Sequence, residues 1–476
     1  MRSSRPLLLL FLALALMLAT ALALALPARA QDDGPSRHLP AGPPPLPDNA
    51  SPQADKPFLQ RSIRVLYSYE GESIGDAFGW AGMNLGDLTG DGVDDFLITA
   101  PGYGDNFNGR AYVYSGADGS LLHVHTGAGN FGQQLGFSAA AAGDVNADGV
   151  LDYVISAPYF FGAPDSGRVT VYSGADHTPI REWSGDEGVM FGYWVDGAGD
   201  LNGDGYDDVI AGAQFQGFTP NASPTDATGR VYAFSGANGD VLWTRDGFNA
   251  GDRLGAGVGR IGDVDDDGLP DVVAAAPGAN SFNGLAYVFS GANGDLVHTL
   301  APTAQSASAR TYGVFFARGG GDVDADGTED IYIGDYAGDG GNGRVYIYSG
   351  ANGDLIRQFN AEDPGDGVGP GRGVPDIDGD GHDDLVIASW TSNSGVEQGG
   401  KVGVYSGADG SLLHLATGAV PVDALGVDAL PLGDLNGDGK QEYMLTATGL
   451  DFAGTGVGHV YVVTFNTPPG VIPGPK

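Results

Sequence analysis

The hydrophobic pattern of this chain comes in short bursts. Apolar runs such as Phe96-Leu-Ile-Thr-Ala100, Tyr153-Val-Ile-Ser-Ala157 and Val272-Val-Ala-Ala-Ala276 are bounded by glycine, proline and aspartate. Runs this short, fenced by turn formers, predict buried β-strands and not helices. A second run follows each after a glycine-rich stretch. It alternates in character and ends in Ser-Gly-Ala: Ala111-Tyr-Val-Tyr-Ser115, Val169-Thr-Val-Tyr-Ser173, Arg344-Val-Tyr-Ile-Tyr-Ser349 and Lys401-Val-Gly-Val-Tyr-Ser406. Tight turns come next, among them Gly291-Ala-Asn-Gly294 and Gly350-Ala-Asn-Gly353. Asn-Gly and Asp-Gly supply the positive φ that such hairpins require. A further strand begins there, for example Asp354-Leu-Ile-Arg-Gln-Phe359.

With the small-residue segment upstream of each acidic loop, these elements make a unit of four antiparallel strands, A to D. The unit recurs. Asp87-Leu-Thr-Gly-Asp-Gly-Val-Asp-Asp95 returns at Asp144 to Asp152, Asp200 to Asp208, Asp263 to Asp271, Asp322 to Asp330, Asp376 to Asp384 and Asp434 to Glu442, so there are seven copies, with starts 54 to 63 residues apart. Four short strands per repeat predict an all-β fold, a seven-bladed β-propeller whose four-stranded blades cover one another's faces. The last unit lacks a D strand, and an extra strand, Ile63-Arg-Val-Leu-Tyr-Ser68, precedes the first. The N-terminal strand is expected to complete the last blade, which removes an exposed sheet edge.

The nine-residue loops between strands A and B carry the candidate chemistry. Positions 1, 3 and 5 present oxygen ligands, Gly at position 6 permits a sharp turn, position 7 can offer its carbonyl, and an acid stands at position 9. Hard oxygen donors at this density suit Ca²⁺ better than Mg²⁺, which demands a stricter octahedron. The expected metal ligands are Asp87, Thr89, Asp91 and Asp95; Asp144, Asn146, Asp148 and Asp152; Asp200, Asn202, Asp204 and Asp208; and Asp263, Asp265, Asp267 and Asp271. They continue with Asp322, Asp324, Asp326 and Asp330; Asp376, Asp378, Asp380 and Asp384; and Asp434, Asn436, Asp438 and Glu442. Asp, Asn and Gly also form ordinary turns. It is the sevenfold recurrence of the spacing that points to metal: up to seven structural Ca²⁺, each pinning an A–B hairpin. The weakest sites are expected to be the first, with Thr89, and the last, with Glu442.

Composition narrows the function. The 476 residues include 82 Gly and no Cys, and the net charge is −38. No disulfide, thiol catalysis or thiolate zinc site is available, and nucleic acid is excluded as a partner because binding it needs a basic footprint. Residues 1–30 read as a signal peptide: Arg2 and Arg5, a Leu/Ala run from Leu7 to Leu26, then Ala28-Arg29-Ala30. An uncleaved anchor is the alternative, since the run is long enough to span a bilayer. No other segment is apolar enough to cross. Residues 31–60 read as a disordered Pro-rich linker, 61–466 as the propeller and 467–476 as a disordered tail.

These residues resemble the FG-GAP repeats of the integrin α-chain β-propeller. Phe78-Gly79, Phe131-Gly132 and Phe191-Gly192 match the FG element; Thr99-Ala-Pro-Gly102, Ser156-Ala-Pro158 and Ala275-Ala-Pro-Gly278 match GAP. The GAP element degrades to Gly334-Asp-Tyr336, Ala388-Ser-Trp390 and Thr446-Ala-Thr448 in the last three blades. The resemblance implies the propeller fold, calcium in the Asp loops and, more weakly, adhesion. Members of the family usually carry metal loops in only some blades, whereas all seven blades have one here. Together with the lack of Cys, it suggests a bacterial-like secreted member.

The expected protein is therefore a monomeric, non-enzymatic binding module, secreted, periplasmic or on the cell surface. Its ligand, protein or glycan, is placed on the face opposite the calcium loops, where the B–C loops carry Tyr103, Phe107, Tyr159 to Phe161, Phe215, Phe218, Phe282, Tyr336, Trp390 and Phe452. The alternative is a carbohydrate-binding lectin; a polysaccharide lyase on the same scaffold is a more distant one. The aromatic residues could instead pack beneath their own loops. Gly71-Glu-Ser-Ile-Gly75 matches a nucleophile elbow but lacks the helix that motif needs.

Overall fold

In the computed structural model, the structure describes residues 57–128, 132–159, 167–186, 189–217, 226–303, 311–448 and 456–470. They form seven four-stranded antiparallel sheets, the blades of one propeller. Blade one is Gly82–Gly86, Asp95–Ala100, Arg110–Tyr114 and Leu121–Thr126, strands A to D in order. Blades two to six repeat this order. Blade seven joins Leu425–Gly433, Glu442–Ala447 and His459–Phe465 to the N-terminal strand Ile63–Glu70, in the order D-C-B-A from that strand inwards. The ring thus closes as the sequence predicts, with Val65 opposite Val463 and Tyr69 opposite Val460.

Burial follows strand position. Every residue of all seven B strands is buried, as in Asp152–Ala157 and Asp330–Asp335, because neighbouring blades cover both faces. The D strands form the outer edge and read as mixed, for example Pro179–Ser184 with no buried residue. The core lies between blades. Leu66, Tyr67, Met444 and Val462 of blade seven pack with Phe96, Ile98 and Tyr112 of blade one, so the closing strand is cemented by the same contacts as the rest. The only α-helical segments among the described residues are single turns, Ala279–Phe282 and Gly338–Gly341.

Two boundaries differ from the expectation. Phe58, assigned to the linker, is 5% exposed and bridges to Gly418, while Leu59 donates its N–H to the Thr417 carbonyl at 2.9 Å. At the other end Gly470, assigned to the tail, donates to the Leu413 carbonyl at 3.0 Å. Both segments find unpaired backbone on blade six, which a purely compositional reading does not register. The signal segment, the linker up to residue 56 and the tail from 471 lie outside the described residues.

Candidate metal centres

Each Asp loop ends where strand B begins: the position-9 acid is the first residue of that strand and is fully buried in all seven blades. Its oxygens are held by backbone amides. Asp95, Asp152, Asp208, Asp271, Asp330 and Asp384 each accept on Oδ2 from the position-2 N–H at 2.8–2.9 Å. On Oδ1 they accept from the first glycine of the C–D turn (Gly116, Gly174, Gly236, Gly291, Gly350 and Gly407) at 2.9–3.1 Å. Position 9 therefore ties the A–B loop to the C–D turn of its own blade.

Positions 1 and 5 shape the rest. The position-1 carboxylate accepts on Oδ2 from the position-6 glycine N–H at 2.7–3.0 Å in all seven loops. The position-5 Oδ1 accepts from the position-7 N–H at 2.9–3.0 Å. The position-6 glycines lie at φ between 79° and 95°, and a Cβ on any of them would meet nothing within 4 Å. They are required for their backbone conformation and not for space. Position 4 is left-handed as well: Gly90, Gly203, Gly379 and Gly437, but also Ala147, Asp266 and Ala325 at φ 57–60°. Only four of the seven carry the glycine that would signal this conformation in the sequence.

The carboxylates converge. Asp263, Asp265 and Asp271 place one oxygen each within 4.8 Å of one another, as do Asp322, Asp324 and Asp330, and Asp376, Asp378 and Asp384. These are the loops with acid at positions 1, 3 and 9. Thr89, Asn146, Asn202 and Asn436 take position 3 in the other four. Asn202 and Asn436 turn their amide nitrogens to Asp208 Oδ2 (3.4 Å) and Glu442 Oε1 (2.8 Å). Position 5 is exposed in every loop.

Burial, aided by the neighbouring loop acids, pushes Asp152, Asp271 and Asp384 up to about 6 and Asp208, Asp330 and Glu442 up to about 7. A buried carboxylate beside like charges is stabilised by a cation. The donor set of carboxylate, amide and hydroxyl oxygens fits a hard divalent ion. Residues at positions 1, 3 and 9 would hold it; the expected ligands at position 5, such as Asp267, Asp326 and Asp380, are not among the carboxylates that converge.

The loops are also wired to the contacts between blades. In five of these six blades the C–D turn glycine whose N–H meets position 9 also meets, on its carbonyl, a side chain from the D strand of the preceding blade. Tyr67 Oη donates to Gly116, Arg181 Nε to Gly236, Trp243 Nε1 to Gly291 and Arg357 Nη2 to Gly407, at 2.7–3.2 Å, and His298 Nε2 lies 2.9 Å from the Gly350 oxygen. Blade seven has no C–D turn, because its D strand comes from the N-terminus. Its position-9 residue is the longer Glu442, which keeps the position-2 contact, from the Leu435 N–H, and accepts from Asn436 Nδ2 on its other oxygen. There His414 stacks on Phe465 at 4.6 Å.

The expected aromatic face is not a ring of exposed side chains. Tyr159 and Phe215 are 5% and 6% exposed and pack into apolar clusters with residues such as Leu135 and Ala139 (Tyr159) and Phe137 and Tyr193 (Phe215), while Phe282 is 39% exposed. Phe161, Phe218 and Phe452 lie outside the described residues.

An FG-GAP repeat profile matches residues 78–114, 136–172 and 191–234, the first three blades without their D strands. The chain carries FG-GAP repeats and is similar to the propellers of integrin α chains. It is 35% identical over 170 residues to integrin alpha-5 of Xenopus laevis, covering 32% of this chain and 16% of that protein. Against integrin alpha-V of Gallus gallus it is 30% identical over 208 residues, or 42% and 20% of the two chains. Against integrin alpha-4 of Xenopus laevis it is 28% identical over 295 residues, or 59% and 27%. The match thus spans about a quarter or less of these relatives' length. A solved structure titled "Structure of Dos1 propeller" superposes with TM-score 0.46 at 10% identity, over 78% of this chain and 76% of that one. No helix among the described residues of this FG-GAP propeller is long and apolar enough to cross a membrane.

Proposed function

We propose that this FG-GAP propeller is a calcium-stabilised, non-enzymatic protein-binding module that works outside the cytoplasm, in adhesion. The observation that carries the calcium reading is the recurrence, in all seven loops, of a fully buried position-9 acid anchored to backbone amides beside further oxygen donors. Calcium there would be structural: it would fix the A–B hairpin, and through position 9 the C–D turn on which the next contact between blades depends.

Protein binding is supported by the relatives, which are integrin α-chains, and by the face opposite the Asp loops. Ile74, Phe248 and Val420 on D–A loops and Phe282 on a B–C loop are 62%, 57%, 40% and 39% exposed there. Phe282 follows Asn280 and Ser281, and all three hold positive φ (69°, 52° and 57°). Each such non-glycine residue costs of order 1 kcal/mol, and strain of this kind collects at functional positions.

The test is binding of the purified chain to a panel of extracellular-matrix proteins and to a glycan array, with and without calcium. Calcium-dependent protein binding that weakens in Phe282→Ala without a change in melting temperature is expected. Binding to glycans alone, or protein binding untouched by both chelator and Phe282→Ala, would overturn the reading.

A further inference from the structure

The axis of the propeller holds a second group of charged side chains, none of them at a ligand position of the metal loops. A cavity of about 300 Å³ is lined by A-strand residues of several blades, including Met83, Asp196, Arg260, Arg318 and Arg372, with Glu329 beside them. Three arginines on three successive blades point into one space. They stand out in a chain with 60 acidic residues against 22 basic ones.

Of the three carboxylates beside these arginines, one pairs directly with a guanidinium and the other two are held by backbone N–H groups. Asp428 Oδ1 pairs with Arg372 Nη2 at 2.7 Å, and its Oδ2 accepts the Gly82 N–H at 3.2 Å. Asp196 accepts the backbone N–H of Arg260, also at 3.2 Å, rather than a guanidinium. Glu329 is held by the backbone N–H groups of Gly262 and Gly321. Arg318 donates to the Phe315 carbonyl at 3.1 Å. Neither Arg260 nor Arg318 has a carboxylate within 4.0 Å among the described residues. Arg372 has a buried Nε without a partner. Burial, and then Arg372, push the Arg318 guanidinium down to about 10, against the opposing pull of Asp428 and Asp196.

The cavity is closed at one end. Phe315 sits among Trp80, Phe137, Tyr193 and Trp194, with ring centroids 5.0–6.2 Å apart. These rings come from the starts of the A strands of blades one, two, three and five, and they can meet only on the axis. They plug it on the face opposite the Asp loops.

We infer that this axial cavity is a binding site for one small anion, an inorganic oxyanion or a small carboxylate, held by the guanidinium groups of Arg318 and Arg260 with Arg372 at the wall. Guanidinium groups present paired N–H donors to such oxygens. The volume admits a small ligand and not an oligosaccharide or a peptide. The aromatic plug leaves entry from the Asp-loop face.

The test is calorimetric titration of the full chain in calcium-containing buffer with sodium sulfate and, separately, sodium succinate, with sodium chloride as control. Saturable binding of one equivalent is expected from at least one of the two, and which one tells an oxyanion from a carboxylate ligand. Arg318→Gln and Arg260→Gln should each weaken it by roughly tenfold or more. Because a variant can fail to fold, wild-type crystals soaked in selenate give an independent reading: an anomalous peak within hydrogen-bond distance of the Arg318 and Arg260 guanidinium groups. No saturable heat with either anion, unchanged affinity in the doubly substituted chain, or no selenate peak on the axis would overturn the proposal.

Discussion

Stripping divalent ions from this protein should destabilise it strongly at about pH 8 and little at about pH 5, because of the position-9 acids. Six of them are pushed up to about 6 or 7, against ordinary values of about 4. A carboxyl raised in the folded state binds its proton more tightly there than in the unfolded chain. Its stabilising contribution is therefore complete below about pH 4 and lost as pH rises through about 6 to 7. Two to three units correspond to ~3–4 kcal/mol per group if realised in full. The loops are open to water at positions 3 to 6, and screening brings this nearer ~1 kcal/mol each. Six groups still sum to ~6 kcal/mol, the size of a typical domain's whole stability. Asp87, held below the carboxylate range by the Gly92 N–H, works the other way but is outnumbered. Calcium reverses the sign, since it binds only the ionised loops. Differential scanning calorimetry at the two pH values, in chelator and in excess calcium, reads this directly. The melting temperature should fall from pH 5 to pH 8 in chelator, and the upward shift given by calcium should be far larger at pH 8. A chelated chain that melts higher at pH 8, or a calcium shift equal at both pH values, would refute the reasoning.

Other consequences follow from single positions. Asp330→Asn puts an NH₂ against the N–H of Val323 or Gly350 and should cost about 2–3 kcal/mol even in chelator, whereas Asp326→Asn, exposed in the same loop, should cost little in chelator and lower only the gain from calcium; equal losses in denaturant titrations would contradict this. Ala325→Gly and Ala147→Gly relieve a left-handed residue and should raise stability by up to ~1 kcal/mol, so a lowered melting temperature in both would count against the loop geometry. Removing residues up to Glu70 deletes the closing strand with Tyr67 and Tyr69, whose hydroxyls donate to the Gly116 and Gly119 carbonyls. The truncated chain should lose its cooperative melt and associate through the open edge, and a sharp, monomeric transition by calorimetry and light scattering would argue that closure is dispensable.

The blades were legible because two signals coincide in every repeat. The apolar B strand fixes a doubly covered strand, and the Asp loop fixes its register, so the order of strands and the closing role of Ile63–Glu70 follow from counting. The positions of the acidic loops were legible for the same reason, and in three of them the carboxylates at positions 1, 3 and 9 converge. What escaped the sequence were properties set by partners far along the chain. The double anchoring of the position-9 acid depends on a glycine about twenty residues later, such as Gly116 for Asp95. The left-handed position 4 hides behind Ala147, Asp266 and Ala325. Whether Tyr159 and Phe215 face solvent or pack inward was left open by the sequence, and both prove buried. Nothing in a single arginine per A strand announces that Arg260, Arg318 and Arg372 share one cavity, because convergence on the axis is a property of the closed ring.

The central claim is that divalent ions occupy equivalent acidic loops around a closed propeller. Native mass spectrometry of the chain in calcium-containing ammonium acetate measures this most directly. The account predicts bound calcium in a stoichiometry approaching seven, lowered by one in a variant with Asp263, Asp265 and Asp267 all changed to Asn. A chain that carries no specifically bound ion under these conditions, while keeping a folded charge-state distribution, would contradict it.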